Sequence, residues 1–196
     1  MLADARRFFY DTGSLALALV DTVGARGRPL SPGGGRREYL DSPSALAAWA
    51  RQAGLGAGRL PAPAELRQVQ LLREAIYRLL RAALERRPPR PRDLTILNRA
   101  VAEAAPEPGI VWYRGAFVPA RRRRTRLAQT ILTRVAAETR MLLLDPSALR
   151  ACADPECGWL FLDRSQARRR RWCSMAECGN RAKARRFRGT HASVRE

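Results

Sequence analysis

The sequence predicts a mainly α-helical N-terminal domain with a small β-hairpin, followed by a small zinc finger of mixed α and β structure. Apolar residues recur at three- and four-residue spacing through most of the first 145 positions, and all four cysteines lie in the last quarter. With 196 residues, 46% of them hydrophobic, the chain can bury one core and carry a small appended module. We therefore expect a helical domain over 1–145 and a finger over 146–196.

Five helices are predicted in the first 145 residues because apolar periodicity and start or stop signals coincide there. They run from 13 to about 26, from Ser42-Pro43 to the glycines at 54–58, from 63 to about 87, from 93 through 101, and from about 125 to 144. Ser14 and Asp93 are the expected N-caps of the first and fourth helices. Leu94 and Met141 are among the side chains expected to face the core. Residues 28–37 are predicted to form a loop.

Residues 109–118 predict the hairpin, because β-branched and aromatic residues flank a turn at Arg114-Gly115. The helices around it present Leu, Ala, Val and Ile without any convergent polar group. A packed helical domain is therefore expected up to residue 145.

Positive charge is concentrated toward the C-terminus. The chain carries 37 Lys and Arg against 18 Asp and Glu, and residues 120–196 hold 19 of those bases against 7 acids. Lys183 is the only lysine, so a GC-rich genome accounts for part of the arginine content but not for the shortage of acids. The surplus favours an anionic partner such as a nucleic acid and argues against a basic one.

Several other classes are not expected. The longest apolar runs fall far short of the ~18 residues of a membrane-spanning helix. Arg6 and Arg7 ahead of Phe8 resemble a twin-arginine export signal, but Asp11 interrupts it and no cleavage site follows, so a cytoplasmic protein is expected. An enzyme is not expected, since His191 is the only histidine and no paired acids or glycine-rich phosphate loop occur.

The cysteines form two matching pairs, spaced C-x4-C-x15-C-x4-C at Cys152, Cys157, Cys173 and Cys178. The segments CADPECG and CSMAECG repeat the first Cys, the Glu, the second Cys and the Gly. Two such loops can offer four thiolates to one tetrahedral Zn²⁺, which leaves no open position and makes the site structural. Two disulfides, an iron–sulfur cluster and a redox dithiol are alternatives; they agree less well with the absence of an export signal and with these spacings.

Residues next to the cysteines have expected supporting roles. Gly158 and Gly179 follow the second cysteine of each loop, and a positive φ there would turn amide N–H groups toward the sulfurs. Trp159 and Trp172 are expected to form the finger's small hydrophobic core, with base stacking as the alternative. Asn180 is expected to cap a helix that runs to about Arg188.

Basic residues surround the predicted metal site. The loop Arg168 to Arg171 would offset the thiolate charge and contact phosphates, or form a solvated turn. The helix after Asn180 is basic nearly all round, with Phe187 as its one large apolar anchor, and could lie across phosphates or enter a major groove. The candidate nucleic-acid-binding residues are Arg168, Arg169, Arg170, Arg171, Arg181, Lys183, Arg185, Arg186 and Arg188.

The motif Cys178-Gly179-Asn180-Arg181, preceded by RRWCSMAE, resembles the signature of CGNR zinc-finger proteins, and the resemblance extends over about 149–188. It implies that the four cysteines bind zinc and that Asn180 and Arg181 belong to the signature. LALVDTVGAR (17–26) and YLDSPSALAAWARQAGL (39–55) resemble the helical ABATE domain that usually precedes this finger. Ala18, Leu19 and Asp21 depart from that pattern, where Asp, Phe and Asn are expected.

The resemblance implies a stress-induced transcription regulator of bacteria. We expect DNA binding through one structural Zn²⁺ finger, while the helical domain senses a small-molecule effector or forms a homodimer. RNA binding by the same finger and recruitment of an acidic protein partner are the alternatives. No membrane partner is expected.

Overall fold

The computed structural model describes residue 8 and residues 12–28, 35–56, 59–103, 110–119 and 126–192. The helices are α1 (Leu15–Val20), α2 (Pro43–Gln52), α3 (Pro63–Leu84), α4 (Pro91–Ala102), α5 (Leu127–Leu144) and α6 (Asn180–Ala192). A π-helical turn, Met175–Gly179, leads directly into α6. The predicted mainly α fold is confirmed.

The strands form three antiparallel pairs. They are β1 (Val23–Gly24) with β2 (Arg37–Glu38), β3 (Ile110–Tyr113) with β4 (Ala116–Pro119), and β5 (Leu149–Ala151) with β6 (Leu160–Leu162). The β3–β4 hairpin confirms the predicted turn, because Arg114 and Gly115 both have positive φ, at 50° and 83°. Of the residues named for these elements, Gly58, Gly109 and Thr125 lie outside the described ranges, as do residues 29–34 of the predicted loop over 28–37.

The core of the helical body is built around α3, which packs against α1, α4 and α5. Its three- and four-residue spacing places one apolar stripe inward, and Trp49 of α2 is fully buried in the same cluster. The buried members of that stripe are Leu66, Val69, Leu72, Ile76, Leu79 and Leu80. Each such side chain contributes about 1.5–3 kcal/mol of burial free energy.

The first helix is shorter than predicted. Ser14 caps it as expected and accepts the Ala16 N–H at 3.1 Å, but the helix ends at Val20 instead of near Arg26. The Thr22 hydroxyl donates to the Leu19 carbonyl at 2.6 Å, and the Thr22 carbonyl accepts the Tyr39 N–H at 2.9 Å. The chain therefore leaves the helix to pair with β2, whose first residue, Arg37, lies in the predicted loop.

Three side chains of α4 and α5 differ from expectation. Asp93 is not a cap: Arg90 is at the N-cap position of α4, and Asp93 is buried and accepts two hydrogen bonds from Arg78 at 2.8 and 2.6 Å. Leu94 is 37% exposed because α4 turns Asp93 and Leu97 inward. Met141 is 61% exposed, since it lies ~120° around α5 from the buried Val135.

Ion pairs tie the β1–β2 ribbon to α3. Glu74 on α3 accepts hydrogen bonds from Arg26 at 3.0 and 3.1 Å and from Arg36 at 2.6 Å. Arg73, almost fully buried, donates to Glu38 of β2 at 2.6 and 2.7 Å. These contacts hold the ribbon where it can meet the C-terminal module. Within the described ranges, no helix has both the length and the apolar character needed to cross a bilayer.

Candidate metal centre and nucleic-acid interface

The four cysteines converge at the predicted metal centre. Their Sγ atoms all lie within 4.8 Å of one another, and Cys173 Sγ is 3.6 Å from Cys157 Sγ and 3.5 Å from Cys178 Sγ. A disulfide needs about 2.05 Å, so these cysteines are free thiols and not disulfides. A tetrahedral ion with Zn–S bonds near 2.3 Å places its sulfurs ~3.8 Å apart. The donor set therefore fits one structural Zn²⁺.

The chemistry of the thiols agrees with a resident cation. Hydrogen bonds from Cys157 and Cys173 lower the pKa of the Cys152 thiol to about 2, while the reciprocal interaction with Cys152 raises the pKa of Cys157. Burial raises the pKa of Cys178. Four buried sulfurs at these distances cannot all be thiolates unless positive charge lies between them. Four cysteine ligands fill the coordination sphere of Zn²⁺ and leave no position for a substrate. The role of the ion is therefore to hold the two cysteine loops together.

The first cysteine loop is built on the β5–β6 pair. Leu149 and Leu160 point into the helical core, whereas Phe161 packs against the cysteines. Gly158 has a φ of +68°, as predicted, and a Cβ there would lie 2.8 Å from Arg26 Cβ. The N–H of the next residue, Trp159, donates to the Cys157 sulfur.

The second cysteine loop is a π-helical turn, and two predictions about it are wrong. Gly179 is not among the glycines with positive φ; a Cβ there would lie 2.4 Å from Sδ of the exposed Met175 side chain, which would have to move. Asn180 does not cap a helix start, because the helical path already begins at Met175 with Ser174 as N-cap. The Asn180 amide instead donates to the Ala176 carbonyl at 2.9 Å.

Both tryptophans beside the ligands pack against the cysteine cluster, which confirms the predicted miniature core. Trp159 also reaches the helical body, where its indole N–H donates to the Val23 carbonyl of β1 at 2.9 Å. The Arg26 N–H donates to the Cys157 carbonyl at 3.0 Å, and a Cβ on Gly27 would lie 1.7 Å from the Pro155 carbonyl oxygen. The finger is therefore seated closely on the β1 segment.

Asp154 is the site residue that the sequence interpretation missed. It is 1% exposed and accepts hydrogen bonds from Arg181 at 2.8 Å and from Arg185 at 2.9 Å. Arg181 also donates to the Cys178 sulfur at 2.9 Å. Burial raises the pKa of Asp154, but hydrogen bonds from Arg181, the Glu156 N–H and Arg185 together outweigh burial and leave the pKa lowered. The available signal was one of the three positions at which the two segments of the internal repeat differ, where Asp154 corresponds to Met175.

The four arginines of the basic loop, Arg168 to Arg171, do not all make the same kind of contact. The Arg170 N–H donates to Asp163 at 2.8 Å, and its guanidinium donates to the carbonyls of Trp172 and Cys173 and lies 4.9 Å from the centre of the Phe161 ring. Arg168, Arg169 and Arg171 are exposed, with Arg171 over Trp172 at 5.2 Å. Arg170 therefore hydrogen-bonds within the finger, although it is exposed like the other three arginines of the loop.

Helix α6 is likewise two-sided. Arg181 and Arg185 lie one turn apart and face Asp154, whereas Lys183, Arg186 and Phe187 lie on the other side of the helix and are exposed. Phe187 is 65% exposed, so the prediction that it anchors the helix is wrong. Arg188 is exposed farther along the helix.

Comparison with known protein families matches both parts of the chain. A family model named ABATE, described as "Putative stress-induced transcription regulator", matches residues 13–154. A second model, described as a CGNR zinc finger, matches residues 148–191. The two matches overlap on β5 and Cys152, where the helical core and the metal site meet. No curated protein matches the chain.

Proposed function

Because the chain belongs to the ABATE family and carries a CGNR zinc finger, we propose that it is a bacterial transcriptional regulator that binds DNA through that finger. In this proposal residues 1–145 sense a signal and residues 146–196 contact DNA. The family descriptions name a regulator and a zinc finger, not an enzyme. Four cysteines that lie close together without a disulfide support a cytoplasmic location.

The observation that carries the proposal is the two-sided α6. Asp154 holds one side of the helix against the finger through Arg181 and Arg185, so the opposite side is presented in a defined orientation. That side carries Lys183 and Arg186 on a chain with net charge +19. A rigid helix with cations on its exposed side is suited to phosphate contacts and to a major groove.

The nine candidate contact residues therefore separate into two groups. Arg170, Arg181 and Arg185 hydrogen-bond within the finger, and we assign them the task of holding it in shape. The proposed phosphate contacts are Arg168, Arg169, Arg171, Lys183, Arg186 and Arg188. Neutralising six phosphates predicts a slope of about −5 in a plot of log K against log salt concentration.

Fluorescence anisotropy on a labelled 30-base-pair duplex, with the zinc-loaded full chain and increasing KCl, tests this proposal. Lys183→Ala and Arg186→Ala should each weaken binding to any sequence and make the slope shallower by about 1. Arg67→Ala, an exposed arginine on α3, is the matched control and should leave both quantities unchanged. Binding that does not change with salt would reject the proposal.

A homodimer through the helical part would place two fingers on one duplex. The stoichiometry of the complex in the same titration checks this: two chains per duplex support the dimer, and one chain per duplex at saturation rejects it.

RNA is the second candidate partner, and the exposure of Phe187 favours it. An exposed aromatic ring among cations can stack on an unpaired base, which duplex DNA does not offer. Competition between the duplex and a structured RNA hairpin separates the two partners. If RNA displaces DNA and Phe187→Ala removes that preference, RNA is the partner; if duplex DNA is preferred and Phe187→Ala has no effect, the DNA proposal stands.

A further inference from the structure

A cavity of about 490 Å³ lies between the β1–β2 ribbon and both cysteine loops. Gly24, Arg37 and Tyr39 line it from the ribbon side, and Trp159 and Glu177 line it from the finger side. Its volume is in the range of small-molecule sites, which occur preferentially where two structural units meet. Neither family description assigns this cavity a ligand.

Some of the charged side chains around the cavity form ion pairs and others do not. Arg28 donates twice to the Glu156 carboxylate, at 3.1 and 2.5 Å, and Arg181 is held by Asp154 at 2.8 Å. Arg37 and Glu177 also line the cavity, and in the described part of the chain neither has an oppositely charged partner within 4.0 Å. One cation and one anion that line the same cavity are thus available to a ligand.

The uncharged walls are aromatic and flat. The indole N–H of Trp159 is already used by the Val23 carbonyl, so the ring contributes an apolar surface. The Tyr39 ring lies against Gly24, where a Cβ would come within 3.0 Å of it, and the Arg37 guanidinium is 6.0 Å from its centre. Such walls are suited to a planar ring.

We propose that this cavity binds a small zwitterion with a planar ring, of the chemical class of the aromatic α-amino acids. Its carboxylate pairs with Arg37, its ammonium pairs with Glu177, and its ring packs against Tyr39 and Trp159. Arg181 lines the same cavity and lies in the first turn of α6, the helix that we propose for DNA contact, so, if the proposed function holds, an occupied cavity would influence that helix.

Isothermal titration calorimetry of the zinc-loaded full chain tests the proposal with three probes. L-phenylalanine carries both charges, 3-phenylpropanoate lacks the ammonium, and 2-phenylethylamine lacks the carboxylate. We expect saturable one-to-one binding of L-phenylalanine and at least tenfold weaker binding of each truncated probe. A tenfold change corresponds to about 1.4 kcal/mol.

Two variants assign the charges. Arg37→Ala should weaken L-phenylalanine and 3-phenylpropanoate at least fivefold and leave 2-phenylethylamine unchanged, whereas Glu177→Gln should weaken L-phenylalanine and 2-phenylethylamine and leave 3-phenylpropanoate unchanged. Arg67→Ala is the control and should bind all three probes like the unmodified chain. Because Glu177 adjoins Cys178, the zinc content of that variant is measured; if zinc is lost, Tyr39→Leu, which should weaken all three probes equally, replaces it.

The proposal is overturned if L-phenylalanine shows no saturable binding, if the three probes bind equally, or if the variants do not distinguish them. The assay contains no DNA, so its outcome does not depend on whether the finger binds DNA. Failure of the proposed function would instead appear only in the anisotropy experiment.

Discussion

At the scale of single residues, the buried Asp21 and the half-buried Glu74 of the helical body differ in the sign of their pKa shift. Burial raises the pKa of Asp21 well above its ordinary value, although the nearby Arg26 acts in the opposite direction. Burial also raises the pKa of Glu74, but hydrogen bonds and charge from Arg26 and Arg73 outweigh it and bring the value to about 2. The ionised form of Glu74 therefore stabilises the fold, whereas the ionised form of Asp21 destabilises it.

Replacing Asp21 with Asn, the residue expected from the family pattern, should stabilise the protein at pH 7. Both Asp21 carboxylate oxygens are buried without a hydrogen bond of normal geometry to the described residues. Because the folded pKa is raised, the native state loses stability as pH rises above the ordinary value near 3.8. We expect a gain of at least ~1 kcal/mol at pH 7 and almost none at pH 3.5. Urea unfolding at both pH values measures the change in the free energy of unfolding. A variant less stable than the native chain at pH 7 would contradict the prediction.

Glu74→Gln should destabilise the protein by about 3 kcal/mol at pH 7, since it leaves the buried Arg26 and Arg73 without their shared carboxylate. The pKa of Glu74 is lowered from 4.5 to about 2. Its contribution is therefore complete above pH 4.5 and is lost as pH falls toward 2. Urea unfolding as a function of pH measures it. Glu85→Gln, in an exposed ion pair with Arg81 and Arg87, is the control and should change stability by no more than ~1 kcal/mol.

At the scale of elements, the finger consists of two loops of different construction. The first is a turn on a strand pair, and the second is a π turn that continues into α6. Asp154 of the first loop receives Arg181 and Arg185 from α6, and Arg181 also contacts the Cys178 sulfur. These contacts connect the metal site to the orientation of the helix.

Arg181→Ala should weaken zinc binding about tenfold or more, because it removes a donor to a ligand sulfur and to the acid that supports the helix. Competition with a chromophoric zinc chelator under reducing conditions measures the affinity. Arg181→Lys should restore part of the affinity, since a lysine supplies charge but only one donor group. Arg188→Ala, on the same helix, is the control. Equal zinc affinity in the Arg181→Ala and Arg188→Ala variants would show that Arg181 is not a positioning residue.

At the scale of the whole molecule, the helical body and the finger share strands β5 and β6. Leu149 and Leu160 are completely buried in the helical core, while Phe161, the residue after Leu160, points to the opposite face of the strand pair and packs on the cysteines. The Leu162 N–H donates to the Thr12 carbonyl at 3.1 Å and adds a second connection to the N-terminal segment. Loss of the metal site should therefore affect the helical core as well.

Removal of zinc with a strong chelator under reducing conditions should lower the Tm of the helical signal by several degrees. The reason is that zinc binding energy is also folding energy for the strands that both parts share. Thermal unfolding followed by circular dichroism at 222 nm measures it, and excess ZnCl₂ should restore the original Tm. A helical transition unchanged by the chelator would show that the body folds independently of the finger.

Interactions between near neighbours in the chain could be predicted from the sequence. The zinc ligands repeat within two seven-residue segments, the α3 stripe has helical period, and the Arg114-Gly115 turn favours positive φ, so all three were identified correctly. The end of α1 was not predicted, because Val23 and Gly24 pair with β2, which lies 13 to 15 residues farther along the chain. Asn180 was predicted to be an N-cap, but the π-helical turn before it starts the helical path at Met175.

The sequence by itself determined that this chain binds one Zn²⁺ through four cysteines and carries a basic helix after them. Only the tertiary structure decided which side of that helix is available, because Asp154 meets Arg181 across 27 residues of sequence. It also decided that Phe187 faces outward and that Arg37 and Glu177 line one cavity. Periodicity specifies which residues share a face of an element, whereas packing between distant segments determines which face is buried.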